Sequence, residues 1–335
     1  MKVEKPNNQV IEVITANPVV KLFASLFRAR ETGIAVIVAA VVIYLSIASE
    51  NFLTAGNIAI VGRQIALQAI IAMGMTMVIL MGGIDLSVGS IVALTTVILG
   101  NALVTYALPI WVSISLAILV GLFAGFMNGF LITRTKVPPF IITLGMMGLA
   151  RGAALVITKG NAISGLPKDF LQVGQGYAYG LVPYPIIIAV ILAIIVHILL
   201  TRTTFGRRIY LVGSNEEAAL LSGINVNQVK VVVFALCAGL TAIESVLETA
   251  RFSTAQPGGG TGYELTAIGS VIIGGASMNG GEGSVLGTML GAILLGLINN
   301  GLILLGVSPY WQQVFSGTII ILAVALDTWR RNQNK

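Results

Sequence analysis

The chain has 335 residues, of which 56% are hydrophobic and only 10% charged, and its mean hydropathy is +0.95. A soluble domain carries about 25% charged residues, so this composition excludes a water-soluble globule and predicts a single domain embedded in a bilayer. The formal net charge of +6 forms no long basic cluster with interleaved aromatic residues, which argues against a nucleic-acid partner and for positive charge retained on the cytoplasmic side.

Charged residues divide the first half of the chain into apolar stretches. The gap of 18 residues between Glu31 and Glu50, and the gap of 21 between Arg63 and Asp85, each fit one crossing, which needs about 20 apolar residues. The next gap is 48 residues long, ends at Arg134 and contains a proline near its middle. It is too long for one helix and therefore predicts two.

The second half continues this pattern. It predicts helices over residues 140–157, 184–200, 229–250 and 264–274, and two more in the uncharged stretch after Glu282, divided at Ser308 and Pro309. The chain is therefore predicted to be an all-α, polytopic membrane protein with about ten transmembrane helices. Its one cysteine, Cys237, excludes an intramolecular disulfide.

The distribution of Lys and Arg predicts the orientation. With both termini in the cytoplasm, 14 of these residues lie inside and four outside, and Arg151 stays within a helix. The predicted organisation is a cytoplasmic N-terminal tail (residues 1–31), a transmembrane domain (32–327) and a cytoplasmic C-terminal tail (328–335). A cytoplasmic loop (202–228) interrupts the transmembrane domain.

Glycines recur every four residues on two of the predicted helices. This spacing lets two helices approach closely in lipid, so we expect helix–helix contact faces there. The glycines are Gly121, Gly125 and Gly129 on one helix and Gly287 and Gly291 on another.

Several polar residues fall within or beside the predicted helices, where exposure to lipid is costly; each either lines a pathway or bonds a neighbouring helix. They are Asp85, Asn128, Arg151, Glu244, Glu264, Asn299 and Asn300. Arg151 and Glu244 are placed at similar depth and are predicted to pair. Asp85 is predicted to cap a helix that begins near Leu86, with ion coupling as the alternative.

The longest polar loop contains the pattern E-A-A-x3-G, formed by Glu217, Ala218, Ala219 and Gly223. An alanine-rich helix ended by glycine predicts a small rigid knob beside charges that suit a soluble partner, although a loop helix without a partner has the same pattern. The chain contains no G-x-x-x-x-G-K-[ST] phosphate loop, so ATP hydrolysis is expected in another chain. One histidine and scattered acids predict no metal site and no catalytic site.

Together with "GMTMVILMGGIDLSVGSIVAL", "SGINVNQVK", "AQPGGGTGYELTAIGSVIIGGASMNGGEGSVLGT" and "NNGLILLGVS", this loop closely resembles the permease subunits of bacterial ABC importers for ribose and related simple sugars. The resemblance covers about residues 52–327. It implies a multi-pass protein of the bacterial inner membrane whose E-A-A residues couple it to a cytoplasmic ABC ATPase. The Leu-Pro end of the general E-A-A pattern is absent here.

The resemblance also implies the partners. ATP and Mg would be bound by the partner ATPase, with no cofactor in this chain. A periplasmic or lipid-anchored sugar-binding protein would deliver the cargo, and a second permease copy, in a homodimer, would complete the pathway. Two alternatives remain: a secondary transporter driven by an ion gradient, and an importer of a sugar-like autoinducer.

Overall fold

A computed structural model describes residues 30–308 together with Tyr310, Trp311, Val314, Gly317 and Thr318. The regular structure in this part of the chain is helical except for one two-stranded β-hairpin and an isolated bridge between Ile163 and Ala255, which confirms the all-α class. The helices are α1 (Arg30–Ala48), α2 (Ala55–Leu80), α3 (Val88–Gly100, continued by a π-helical segment Asn101–Thr105), α4 (Ile110–Thr135), α5 (Pro139–Thr158), α6 (Lys168–Gln175), α7 (Tyr184–Arg202), α8 (Thr204–Ser214), α9 (Glu216–Leu221), α10 (Val226–Phe252), α11 (Tyr263–Ile273) and α12 (Val285–Leu304). Strands β1 (Tyr177–Ala178) and β2 (Val182–Pro183) form the hairpin between α6 and α7.

Eight helices of the described chain are long and apolar enough to cross a membrane. They are α1, α2, α3 with its π-helical segment, α4, α5, α7, α10 and α12. The ninth predicted helix corresponds to α11, whose 11 residues span only ~16 Å, about half of a hydrocarbon core. Most of the tenth lies outside the described residues, so the count of ten and the orientation stay predictions.

Helix α10 lies at the centre of the bundle. It is buried along most of its length and packs against α2, α3 and α4. Hydroxyl groups bond across the interface with α3: Thr95 donates to Ser245 at 2.8 Å, and the Thr96 and Thr249 hydroxyls are 3.0 Å apart. These four hydroxyl groups are thus satisfied across a helix–helix interface, as polar groups between membrane helices commonly are.

The two sets of regularly spaced glycines lie at helix–helix contacts. A Cβ on Gly121 would be 2.6 Å from the Cβ of Ala242, and a Cβ on Gly129 would be 2.5 Å from Cα of Val231, both on α10. Gly125 lies between them on the same face of α4 and also meets α10. On α12, Gly287 and Gly291 lie against the carbonyl groups of Gly274 and Ser270 at the end of α11.

The bundle has two distinct ends, here called the α9 end and the α6 end. At the α6 end, Gln175 donates through Nε2 to the carbonyl of Ala250 at 3.2 Å and to the Ser253 hydroxyl at 2.9 Å. Arg63 donates to the Gln175 carbonyl at 2.9 Å and lies over the ring of Tyr177. These contacts hold α6 and the hairpin on the last turn of α10.

Candidate functional site

Helix α9 contains the E-A-A pattern and has a capping group at its first turn. The side chain of Asn215 accepts a hydrogen bond from the N–H of Ala218 at 2.9 Å, which satisfies a donor that the helix itself leaves unpaired. Lys230, on the first turn of α10, forms a 2.7 Å salt bridge with Glu216. The helix is therefore attached to the central helix of the bundle as well as to its own chain neighbours.

Gly223 ends α9 in a left-handed conformation with φ of +79°. The N–H of Gly223 bonds to the carbonyl of Leu220 at 3.0 Å, and the N–H of Ile224 bonds to the carbonyl of Ala219 at 3.1 Å. This is the pattern of a glycine C-cap. Nothing lies within 4 Å of a Cβ added to Gly223, so only the backbone conformation demands glycine there.

The tip of α9 is polar on one side and apolar on the other. Glu217 and Ala218 are exposed, whereas Ala219 is buried and anchors the helix. Leu220 is 63% exposed and Leu221 is 89% exposed. Sequence reasoning missed these two leucines, although they directly follow the E-A-A residues and share their helix.

A groove of ≈ 800 Å³ lies between α9 and the turn that joins α4 to α5. Its walls carry charges of both signs, from Lys136 and Lys230 and from Glu216 and Glu217, together with the apolar Leu220. A helix tip beside a charged groove is a surface that suits a folded protein partner.

Helix α8 connects α9 to the ends of the membrane helices. A Cβ on Gly213 would collide with the carbonyl oxygen of Leu80, so α8 lies directly on the last turn of α2. The same Leu80 carbonyl accepts a 2.8 Å bond from the N–H of Gly281, in the loop between α11 and α12. Helix α8 therefore connects α9 to the end of α2 and to the loop before α12.

Tyr210 adds a side-chain link from α8 to that loop. Its hydroxyl donates to the carbonyl of Gly283 at 2.9 Å. Burial raises the pKa of the Tyr210 hydroxyl above its usual range, which keeps the proton in this bond. Neither Tyr210 nor Gly213 was identified from the sequence, because their partners are distant in the chain.

The first turn of α3 and the non-helical segment before α11 meet inside the bundle. A Cβ on Gly89 would collide with the carbonyl oxygen of Gly260, and a Cβ on Gly260 would collide with that of Gly89. The first segment follows the non-helical stretch between α2 and α3, and the second leads into the short α11. Interrupted helices at membrane depth occur where irregular backbone is buried in protein or lines a cavity, and transporters use them at their pathways.

Arg151 binds both of these segments. Its guanidinium donates to the carbonyls of Pro257 at 2.9 Å, Gly259 at 2.6 Å and Gly89 at 3.3 Å. The predicted pair with Glu244 is wrong, because all of these bonds go to backbone carbonyls. Glu264 lies at the same junction, since its Oε2 would be 2.6 Å from a Cβ on Gly89.

Asp85 belongs to a hydrogen-bonded network at the start of α3. Its Oδ1 accepts from the backbone N–H of Ser87 at 2.8 Å and from the Ser87 hydroxyl, and Asn128 donates to that hydroxyl at 2.9 Å. The helix begins at Val88, so Asp85 stabilises the turn before it and Ser87 occupies the capping position. Asp85 and Asn128 are both fully buried and are brought together here.

The other polar candidates lie apart from this network. Asn300 and Asn57 exchange two amide hydrogen bonds, of 2.8 and 3.2 Å, and so connect α12 to α2. Asn299 is only half-buried. Glu244 is fully buried in α10, and neither of its carboxylate oxygens has a hydrogen-bond partner among the described residues.

Comparison with known proteins identifies the family of this bundle. Residues 57–324 match the model of a family described as branched-chain amino acid transport system / permease component. The chain belongs to this permease family. It is therefore a multi-pass protein of the bacterial inner membrane, as the sequence predicted.

Several curated relatives cover most of the permease. It is 45% identical over 292 residues to the ribose import permease protein of Bacillus subtilis (strain 168), covering 85% of this chain and 89% of that protein. It is 40% identical to the D-allose transport system permease protein of Escherichia coli (strain K12), covering 86% and 88%. The fructose import permease protein of Rhizobium meliloti is 33% identical, covering 88% and 84%. The search of solved structures found no match.

Proposed function

We propose that this chain is the translocation subunit of an ATP-driven importer for ribose or a related simple sugar. Helix α9 carries the proposal, because it is an exposed knob attached to the central helix and, through α8, to the end of α2. The permeases of similar sequence are named for ribose, allose and fructose, which supports a monosaccharide as the cargo.

In this proposal a separate ABC ATPase binds ATP and Mg on the cytoplasmic side and also binds α9. Leu220 and Leu221 pack against that ATPase, and Glu217 sets the charge of the contact. Closure of the ATPase pulls α9, and α8 passes the movement to α2 and to the loop before α12. In this proposal the movement shifts the two segments that Arg151 joins by hydrogen bonds, and this shift changes access to a pathway.

Further partners complete the importer. A periplasmic or lipid-anchored sugar-binding protein delivers the sugar to the α6 end, and a second copy of this chain forms the pathway with the first, surrounded by membrane lipid. This chain supplies no ATPase site of its own, in keeping with the absence of a phosphate-loop motif from its sequence.

The test is reconstitution with the ATPase and the binding protein in liposomes. Ribose should stimulate ATP hydrolysis and accumulate inside, whereas leucine, the type of cargo in the family description, should do neither. Stimulation by leucine alone would overturn the sugar assignment. A sugar-like autoinducer is the third cargo to compare in the same assay.

One observation favours a second candidate, a secondary transporter driven by an ion gradient. Glu244 is a buried carboxyl group without a hydrogen-bond partner among the described residues, and such groups in membrane helices mark ion or proton pathways. Uptake that survives ATP depletion and collapses with the ion gradient would establish this function. Uptake that stops with ATP depletion would exclude it.

A further inference from the structure

A second, smaller cavity of ≈ 210 Å³ lies toward the α6 end of the bundle, between α3, the last turns of α10 and the loop that follows α10. It is smaller than the pockets that hold drug-sized ligands, about 300–1,000 Å³, so its size suits one small molecule. Its lining residues are Thr96, Glu248, Thr249, Phe252, Thr254, Gln256 and Gly259.

The wall of this cavity contains the carboxyl group of Glu248. Glu248 is only 9% exposed, and its Oε2 has no hydrogen-bond partner among the described residues. A buried carboxylate oxygen without a donor is costly to the folded protein, because it has left water without a replacement bond. The other oxygen, Oε1, would be 3.7 Å from a Cβ on Gly259, which also lines the cavity, so a ligand with hydroxyl groups can donate a bond to it there.

The remaining lining groups suit the same kind of ligand. Gln256 is exposed and offers both a carbonyl acceptor and two N–H donors. Thr96 and Thr249, whose hydroxyls are paired with each other, also line the cavity. Phe252 is 54% exposed and presents an apolar ring. A carboxylate, an amide, hydroxyls and one aromatic ring together match a monosaccharide, which has hydroxyls at its edge and apolar C–H groups on its faces.

The cavity also adjoins the interrupted segments. Gly259 lines it, and the carbonyl of Gly259 accepts the 2.6 Å bond from Arg151. The other charged or titratable groups around Glu248 are Glu244, Arg251 and Tyr263. A molecule bound at Glu248 would therefore lie beside the backbone of Gly259, which Arg151 links to Gly89 through hydrogen bonds.

We propose that this cavity is a transient binding subsite for one monosaccharide on its way through the permease, with Glu248 and Gln256 bonding its hydroxyls and Phe252 covering one face of its ring. The subsite rests on the proposed function, because it assigns the position in the permease at which the transported sugar binds. It places a carboxyl group, an amide and an aromatic ring beside a polar cargo that passes between helices.

Cysteine labelling tests the subsite directly. Cys237 is the only cysteine of the chain and is buried, so a Cys237→Ala background leaves no reactive thiol. In that background Thr254→Cys places a thiol at the cavity, and Asp169→Cys places one on the exposed face of α6 as the matched control. The permease with its ATPase, but without the binding protein that would dock at the α6 end, is placed in lipid nanodiscs and treated with a water-soluble maleimide, with and without ribose.

The expected result follows from the binding equilibrium. With ~100 mM ribose and a Kd of about 10 mM, labelling of the Thr254→Cys variant should slow about ten-fold, and that of the Asp169→Cys variant should not change. Adding Glu248→Gln to the Thr254→Cys variant should abolish the protection. Equal labelling with and without ribose, or protection by sodium ions in place of the sugar, would overturn the subsite.

Uptake measured with the same variants, reconstituted with the ATPase and the binding protein in liposomes, separates the two proposals. If the wild-type complex imports ribose but ribose gives no protection, the subsite fails and the proposed function stands. If the wild-type complex imports no sugar, the proposed function fails, and the subsite fails with it.

Discussion

Helix α9 and the junction of Gly89 with Gly260 are specified in different ways. Two hydrogen bonds shape α9, one from the N–H of Ala218 to the side chain of Asn215 and one from the N–H of Gly223 to the carbonyl of Leu220. Each joins residues three positions apart, and both ends of the helix are exposed to solvent. The junction joins residues more than 170 positions apart through backbone contact in the interior. A surface knob can therefore be altered locally, whereas a change in the junction affects the packing of the whole bundle.

The largest effect is expected for Gly89→Val. The new side chain would collide with the carbonyl of Gly260, so we expect the free energy of unfolding to fall by about 3 kcal/mol or more. Thermal unfolding in detergent would measure it. Gly148→Ala on α5 is the matched control, because nothing lies within 4 Å of the added Cβ and stability should stay the same or rise slightly. Equal stability of both variants would contradict the tight junction.

Arg151→Met should have the next largest effect. It leaves three carbonyl groups without their donor, and we expect a loss of about 2 kcal/mol in the free energy of unfolding. Arg134→Gln, at an exposed arginine near the end of α4, should change it by less than about 0.5 kcal/mol. A thermal shift of the same size in both variants would show that Arg151 acts only as a surface charge.

These two regions also differ in how well the sequence predicted them. The E-A-A-x3-G pattern and the gaps between charges depend on residues close together in the chain, so the helix class, most of the spans and the knob with its terminal glycine were predicted. The Arg151 contacts were not, because donors and acceptors are about 60 to 110 residues apart and the acceptors are backbone carbonyls, which every residue has. The contacts of Leu80, Tyr210 and Gly213 were not predicted either, because the residues that they contact are also distant in the chain.

Gly223→Ala changes α9 alone. Alanine at φ of +79° costs about 1 kcal/mol, so α9 should lose its last turn part of the time while the bundle stays folded. We expect the sugar transported per ATP hydrolysed to fall about five-fold, the factor that 1 kcal/mol corresponds to. Gly223→Asn should be milder, since asparagine tolerates this conformation. A ratio unchanged in both variants would exclude a role for the cap in coupling.

The smallest effect is expected for Glu216→Gln. It removes the salt bridge with Lys230, in which the Glu216 side chain is 57% exposed, and exposed pairs contribute at most about 1 kcal/mol. The free energy of unfolding should change by less than that and less still in high salt. A loss as large as that of Arg151→Met would mean that the attachment of α9 to α10 stabilises the whole bundle.

The central claim is that ATP hydrolysis in a partner drives transport through α9. It is tested most directly by the ratio of ribose accumulated to ATP hydrolysed in liposomes that contain the permease, its ATPase and its binding protein. We predict that the wild-type chain accumulates ribose only with ATP, and that Glu217→Lys leaves ATP hydrolysis running while uptake falls to background. Accumulation without ATP, or an unchanged ratio in the Glu217→Lys variant, would contradict the claim.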